Sequence, residues 1–312
     1  MPGGRSPHED VHEPQVEYSG RGTSGDLGPA VLFALQSGEV IVIAAELRLM
    51  CVLAHPDDES LGTGGALAKS AAEGVGTYLV TATRGERGRF GDGTESPGPD
   101  IVGKTREAEL LAAADELGLR EVKFLDYPDG ALDRVDTAAA IETIAGHLRR
   151  VKPQVVITFG PDGAYGHPDH VAISQLTTAA IVSAADPSFT SRPPIAEAHR
   201  VSKLYFIAWS PKKWSAYETA LRKLVFKVDG EERQAVPWPD WAVTTVLDTS
   251  GVWPTVWRAV SCHKTQMTIY RKLEGLSEEH QRSLWGTQEF YRVFSSVNGG
   301  RAQESDLFEG LR

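Results

Sequence analysis

From residue 49 onward, short unbroken apolar runs alternate with longer stretches in which apolar and charged residues recur at helical spacing. The runs at 49–54, 77–82, 122–126, 154–159 and 202–208 are rich in Val, Ile, Leu, Tyr and Phe and predict buried strands. The stretches at about 62–74, 103–118, 136–151 and 170–185 predict helices between them. In the second helix, Ala108, Leu111, Ala112, Ala114 and Leu117 form an apolar stripe, and Gly118 stands where a helix C-cap is expected. The third ends before Pro153. Strand, helix, strand in succession predicts an α/β fold, Rossmann-like, with a mostly parallel sheet and helices on both faces.

Two segments break the alternation. Residues 84–102 carry glycines and prolines without a period, and a loop of that length in a compact domain is usually functional or unstructured. Beyond about 210 the pattern is irregular, with Trp214, Trp238, Trp241, Trp253 and Trp257 close together, and predicts a C-terminal cap of helices with one added strand at 243–247. Five tryptophans in a small cap read as core rather than as a platform for sugar rings. The expected organisation is an unstructured extension at 1–45, one catalytic domain at 46–298 and a frayed tail at 299–312.

The extension mixes glycine, proline and acidic residues without a stable period. Its apolar patches, Val31 to Leu35 and Val40 to Ala45, are separated by Gln36-Ser37-Gly38-Glu39. Neither reaches the roughly 18 residues that span a bilayer. About thirty mostly polar residues precede them, unlike a secretory signal. A cytoplasmic protein without membrane contact is expected. Met50, just before the first strand of the domain, is a candidate start, with the preceding residues outside the working protein. The net charge of −10 gives no footprint for nucleic acid. The two cysteines, Cys51 and Cys262, lack metal-binding spacing and read as reduced thiols. No feature of the pattern sets an oligomeric state.

Chemistry concentrates at two strand ends. The first apolar run leads into Ala54-His55-Pro56-Asp57-Asp58-Glu59-Ser60, and the fourth leads into Tyr165-Gly166-His167-Pro168-Asp169-His170. A catalytic zinc takes about three protein ligands and keeps one position open. His55 and Asp58, brought together by a turn at Pro56, and His170 from the second cluster meet that count. Asp57 is then free to serve as general base toward a water of lowered pKa. His167 is placed to face the substrate carbonyl or leaving nitrogen, with Asp169 holding its imidazole in one tautomer and favouring its charged form. Tyr165 offers a phenol to an oxyanion.

Each cluster alone has a plainer reading as a solvated turn; together, with three of the nine histidines, they point to a metal site. Gly62-Thr63-Gly64-Gly65 does not complete a dinucleotide fingerprint, because its last glycine would fall at Leu67, and close packing of the first helix against the sheet accounts for it. Gly160-Pro161-Asp162-Gly163 likewise reads as a turn.

These residues resemble the PIG-L or LmbE-like zinc deacetylases, which remove acyl groups from N-acetylglucosamine-type sugars. The resemblance rests on Ala54 to Glu59 and Gly166 to His170. It extends through Thr83-Arg84-Gly85-Glu86, Arg106-Glu107-Ala108-Glu109 and Leu117-Gly118 to Cys262-His263-Lys264-Thr265-Gln266, and covers roughly residues 49–270. It implies zinc on His55, Asp58 and His170, Asp57 as base, and His167 as electrostatic and acid partner with Asp169 behind it. Tyr165 would be a mobile oxyanion donor. It further implies that Arg84, Glu86 and Arg106 lie near the sugar, for which a structural ion pair is the competing reading, and that His263 lies at the site's rim. Iron(II) suits the same ligands as zinc.

The expected activity is hydrolysis of a linear amide, N-deacetylation of an amino sugar or its conjugate. Within the class, the alternative is an amidase acting on a larger amide such as a sugar–thiol conjugate. Outside it stand a catalytically silent sugar-binding protein and a nucleotide-binding protein. The family's substrates run from glucosaminyl-inositol and its thiol conjugates to chitin fragments, glycopeptide antibiotics and malate glycosides, so the resemblance leaves the substrate open. The variable loops, here 84–102 and 209–257, would choose among them.

Overall fold

The computed structural model describes residues 32–36, 39–43, 46–93, 95–221, 225–228, 230–234, 236–300 and 302–312. The chain divides into two units, residues 1–45 and 46–312. In the first, β1 (Leu32–Gln36) and β2 (Glu39–Ile43) pair antiparallel, Leu32 opposite Ile43 and Gln36 opposite Glu39. The two apolar patches thus form a hairpin instead of lying unstructured. The disorder expected for 1–31 falls outside the described residues.

The second unit is built on β3 (Arg48–Leu53), β4 (Gly76–Thr81), β5 (Glu121–Phe124), β6 (Val155–Thr158) and β7 (Lys203–Ile207). Between them run α1 (Asp58–Ala72), α2 (Pro99–Leu117), α3 (Thr137–Val151), a short kinked turn α4 (Gly163–Gly166) and α5 (Pro168–Ala185). The C-terminal part adds α6 (Pro211–Leu221), the hairpin β8 (Val225–Val228) and β9 (Glu231–Gln234), then β10 (Thr245–Asp248) and α7 (Trp253–Cys262). It ends with α8 (Met267–Glu274), α9 (Glu278–Trp285) and β11 (Thr287–Ser295).

The main sheet has the order β10-β11-β7-β6-β3-β4-β5. The five strands from β7 to β5 are parallel, and β11 joins β7 and β10 antiparallel. The chain leaves β3 toward β4 and β5, then returns to the other side of β3 for β6 and β7. That reversal, with the right-handed crossovers usual for parallel strands, puts helix layers on opposite faces and a crevice beyond the ends of β3 and β6. Helix α1 packs with α2 and α7, and α3 with α5. Leu49 to Leu53 are buried throughout, which is why β3 reads as an unbroken apolar run rather than an alternating one.

Helix starts differ most from the sequence expectation. α1 begins at Asp58 and α2 at Pro99, earlier than the periodicity alone marks, because Asp57 and Gly98 turn the chain at φ 110° and 102°. Gly118 closes α2 at φ 73°, as its C-cap position implied. The α1 glycines serve close packing. A Cβ on Gly64 would lie 3.0 Å from Val256 of α7, and one on Gly65 2.8 Å from Thr249. The contacts are thus largely with α7 and the turn before it, with only Gly62 meeting Ile207 of the sheet. Trp214, Trp253 and Trp285 fill a second apolar cluster with Tyr217 and Val256, so that part of the tryptophan-rich segment is core. Trp241 is 81% exposed. Both cysteines are free. No helix among the described residues is long and apolar enough to cross a membrane.

The tail expected to fray is docked. Leu307 and Phe308 are buried, and Glu304 bridges to Thr245 of β10. The Glu304 carboxylate accepts from Lys203 Nζ (2.7 Å), Tyr205 Oη (2.8 Å), Thr245 Oγ1 (2.8 Å), Arg292 Nη1 (2.8 Å) and Asn298 Nδ2 (2.7 Å). Burial alone would raise its pKa, but hydrogen bonds from Asn298, Lys203, Tyr205 and Thr245 hold it at about 2. A carboxyl lowered by folding stabilises above its unfolded pKa and loses that contribution as pH falls through the folded value. Glu304→Gln is therefore expected to cost about 3–5 kcal/mol at pH 7 by leaving Lys203 buried without its anion. The gap between variant and parent should narrow from about pH 4.5 down toward pH 2. Thermal unfolding of both proteins across that range checks this, and a gap independent of pH contradicts it.

Candidate active site

The end of β3 delivers His55, Pro56, Asp57 and Asp58 in a turn that runs straight into α1. Asp58 is the first residue of the helix, where a carboxylate is favoured by the dipole. Its Oδ2 accepts the backbone N–H groups of His55 (2.8 Å) and Ala54 (3.2 Å), which fixes the turn. The field of His170 and His55 outweighs burial and holds the Asp58 carboxyl well below the usual carboxylate range. The end of β6 leads through the kinked turn α4 into α5, whose first residues carry Asp169 and His170. Ala164 sits at φ 63° in that turn, a left-handed conformation unusual for a residue with a Cβ.

The two strand ends bring three donor groups together. His55 Nδ1 lies 3.2 Å from His170 Nε2, His170 Nε2 lies 3.4 Å from Asp58 Oδ1, and His55 Nδ1 lies 3.8 Å from Asp58 Oδ2. Tautomers give these distances meaning. His170 Nδ1 lies 3.2 Å from the Gly163 carbonyl, and His55 Nε2 lies 3.0 Å from Asp169 Oδ2 and 3.2 Å from Asp129 Oδ1. When each neutral ring donates outward to its oxygen acceptor, the lone pairs of His55 Nδ1 and His170 Nε2 point at each other. A metal cation between them relieves that opposition, as does a proton shared along the 3.2 Å contact. The two imidazole nitrogens and the Asp58 carboxylate lie within 4 Å of one another, each imidazole nearest a different Asp58 oxygen, a spacing at which side chains can share one ion. The donor set therefore fits a divalent ion.

His55, Asp129 and Asp169 also lie close enough to share an ion on the opposite side of the His55 ring. Those carboxylates are already engaged. Asp169 accepts the N–H groups of Gly130 (2.7 Å) and Leu132 (2.9 Å), and Asp129 accepts that of Arg87 (2.9 Å). They act more naturally as a brace that fixes the His55 tautomer. Burial disfavours charge on His55, yet hydrogen bonds to Asp129 and Asp169 with the field of Asp58 raise its pKa to about 10. The surroundings thus favour positive charge at this point.

Asp57 is buried beside this cluster. Its Oδ2 accepts from Arg106 Nη2 and Tyr270 Oη, both at 3.2 Å. Burial pushes its pKa up to about 6 against the pull of Arg106. His167 lies next to both imidazoles, with ring centroids 4.7 Å from His55 and 4.9 Å from His170. Tyr165 packs edge-on to His170 at 5.2 Å. Burial, followed by the charges of Asp58 and Asp57, raises the Tyr165 phenol well above its ordinary pKa, so it stays a donor.

Several expected roles are revised by the geometry. The carboxylate of Asp169 holds His55, not His167; only its backbone N–H reaches His167 Nδ1, at 3.1 Å. Burial and the neighbouring His55 and His170 pull His167 down to about 4, so its charged form is disfavoured rather than favoured. Arg84 is engaged in ion pairs with Asp126 and Glu107. Glu86 accepts the Asp129 N–H at 2.8 Å. Arg106 is buried and clamps the carbonyls of Gly85 and Pro56 as well as Asp57. His263, expected at the rim, is fully buried, 2.8 Å from Glu59.

The structure also adds Asp129 and Tyr270, which the sequence reading passed over. Asp129 had a legible signal, since Asp126-Tyr127-Pro128-Asp129-Gly130 repeats at the end of β5 the pattern of acid and proline after a strand. Tyr270 had none.

Beyond Tyr165, a groove of about 550 Å³ is lined by Asp162, Tyr165, Arg233, Gln234 and Trp238, among others. Arg233 Nη1 donates to the Gly166 carbonyl at 2.9 Å and Trp238 Nε1 to Asp162 Oδ2 at 3.1 Å, so its far wall is fastened to the turn that carries Tyr165.

A parallel α/β sheet with a histidine and carboxylate cluster at its switch point defines an enzyme-type site rather than a particular reaction. Comparison supplies the rest. The family model for PIG-L, GlcNAc-PI de-N-acetylase, matches residues 50–181. The chain is 34% identical to a 1D-myo-inositol 2-acetamido-2-deoxy-alpha-D-glucopyranoside deacetylase of Kineococcus radiotolerans, over 92% of this chain and 88% of that protein. The chain belongs to the PIG-L family of deacetylases. The fold is shared with an N,N'-diacetylchitobiose deacetylase of Pyrococcus horikoshii, with a TM-score of 0.58, 18% identity, and 80% and 84% of the two chains covered. It is shared equally with a 4-carboxy-2-hydroxymuconate hydratase of Pseudomonas putida KT2440, with a TM-score of 0.60, 22% identity, and 81% and 99% covered. The fold alone therefore does not decide the chemistry.

Proposed function

We propose that this chain removes the acetyl group from the 2-acetamido function of an N-acetylglucosamine-type glycoside, releasing acetate and a free amine. The observation that carries the reading is the close approach of two imidazole nitrogens, His55 Nδ1 and His170 Nε2, with Asp58 beside them and Asp57 next in the same turn. His55, Asp58 and His170 would hold the ion, zinc or equally iron(II) by ligand type. When bound, that ion supplies a Lewis acid and lowers the pKa of water to near neutrality.

The chain's own groups carry the proton traffic. Asp57, with its pKa near 6, takes a proton from the attacking water and returns it to the leaving nitrogen. Tyr165, held protonated, donates toward the oxygen where negative charge develops. His167, neutral beside the two imidazoles, faces the substrate carbonyl or the leaving nitrogen. The enzyme would work in the cytoplasm, in keeping with its free thiols.

The groove beyond Tyr165 favours a substrate with a second polar ring over a free monosaccharide. Its volume lies in the range of ligand sites, and Trp238, Arg233 and Gln234 offer an aromatic edge with polar partners. The relatives named for an inositol glycoside make that compound the first to assay. An amine-release assay of the metal-loaded protein against N-acetylglucosamine, its inositol glycoside and a bulky amide conjugate tests the reading. Release from the bulky amide alone would favour the larger-amide alternative. Trp238→Ala is expected to raise KM for the glycoside by about tenfold while leaving N-acetylglucosamine unchanged, a loss of uniform binding. Equal effects on both substrates would remove the groove from the binding site.

A further inference from the structure

An aspartate preceding a helix ordinarily folds its carboxylate back onto the free N–H groups of the first turn. Asp57 precedes α1 and makes no such cap; its backbone stands at φ 110°, which swings the side chain away from the helix end toward Arg106 and Tyr270. A left-handed backbone at a residue with a Cβ persists only where neighbours hold it.

The neighbour here is Glu59. Its Oε2 accepts the Asp57 N–H at 3.0 Å, and its Oε1 lies 2.8 Å from His263 Nε2 and 2.5 Å from Ser60 Oγ. Glu59 and His263 are both 0% exposed. A carboxylate so buried needs a partner able to carry charge, and His263 provides it. His263 follows the end of α7, some 200 residues away in the chain. The residues after it are anchored in turn. Thr265 donates its N–H and hydroxyl to Glu109, both at 2.7 Å, and Gln266 Nε2 donates to the Arg89 carbonyl at 2.7 Å. The segment from Cys262 to Gln266 is thus a brace behind the first strand end, set between α1 and α2.

We propose that Glu59 and His263 are a positioning pair that holds the Asp57 backbone in its left-handed turn and so aims the Asp57 carboxylate, His263 acting through Glu59 and neither touching substrate. The inference rests on Asp57 being the base.

The test is a mutant cycle on the metal-loaded, full-length protein, with the acetamido glycoside as substrate. Glu59→Ala is expected to lower kcat by about 10- to 100-fold, as a misaimed catalytic group does, with KM and metal content little changed. Glu59→Gln, which keeps an oxygen for the Asp57 N–H, should recover part of that loss. In an Asp57→Asn background the Glu59→Ala change should cost less than about threefold, because the aimed group is already disabled. Should Glu59→Ala fail to fold, His263→Asn carries the same cycle. Equal losses in both backgrounds, or unchanged kcat in every foldable variant of the pair, would overturn the proposal. Full turnover by Asp57→Asn alone would instead remove the base assignment, and this inference with it.

Discussion

Replacing Asp57 by Ala is expected to lower kcat by on the order of 10³-fold, within the range a positioned acid–base group supplies, while the protein still binds its metal stoichiometrically. The separation of the two effects follows from the turn itself. Asp58 reaches the imidazoles and two backbone N–H groups, whereas Asp57 points at Arg106 and Tyr270. Removing the Asp57 side chain leaves the three proposed metal donors and their hydrogen bonds in place. Metal content measured alongside turnover checks both halves. An Asp57→Ala protein that turns over at the parental rate would end the base assignment, and one that loses its metal would show that the two adjacent aspartates do not divide the work.

The second large effect is expected on the metal. His170→Ala removes one of the two opposed imidazoles, and metal content and turnover should both fall to background. Asp169→Asn should be milder, weakening metal affinity by about 10- to 100-fold, as loss of the group orienting a ligand does. The grading distinguishes a donor from its brace. Asp169 contacts His55 at Nε2, on the side away from His170, so its loss leaves the donors present but His55 free to change tautomer or tilt. Metal titration of the two variants measures the difference, and equal affinities in both would place Asp169 among the ligands.

Much of this site was legible before any coordinates. Buried parallel strands read as unbroken apolar runs, so β3 and β6 stood out, and polar residues packed just after such runs must lie at a sheet edge. The clusters at His55 and His170 are legible this way, along with the mostly parallel character of the sheet, but not its strand order. What stayed hidden depends on contacts between distant segments. Two carboxylates lie within reach of His55 Nε2, and only the return of the chain after β5 shows that Asp169 and Asp129 share that role. The burial of His263 depends on the path of α7, which no local pattern near residue 263 encodes. β11 is hidden because it follows α9 directly and buries only Gln288 and Phe290, so no regular alternation marks it as a strand. The docked tail is hidden for a different reason: its hold comes from Glu304 together with Leu307 and Phe308, a few residues in a short segment with little periodicity.

The order in which the sheet is completed has a consequence for the protein while it is being made. Every side chain of the proposed metal site and its base has been synthesised by residue 170, and β7 by residue 207. The strand that pairs with the outer side of β7 is β11, at residues 287–295, and the network that locks it involves Glu304. A nascent chain with its chemistry already encoded therefore carries an open strand edge through the synthesis of some eighty further residues. Until the last strand arrives, that edge is available to pair with another chain, which makes the interval before β11 the one most exposed to aggregation.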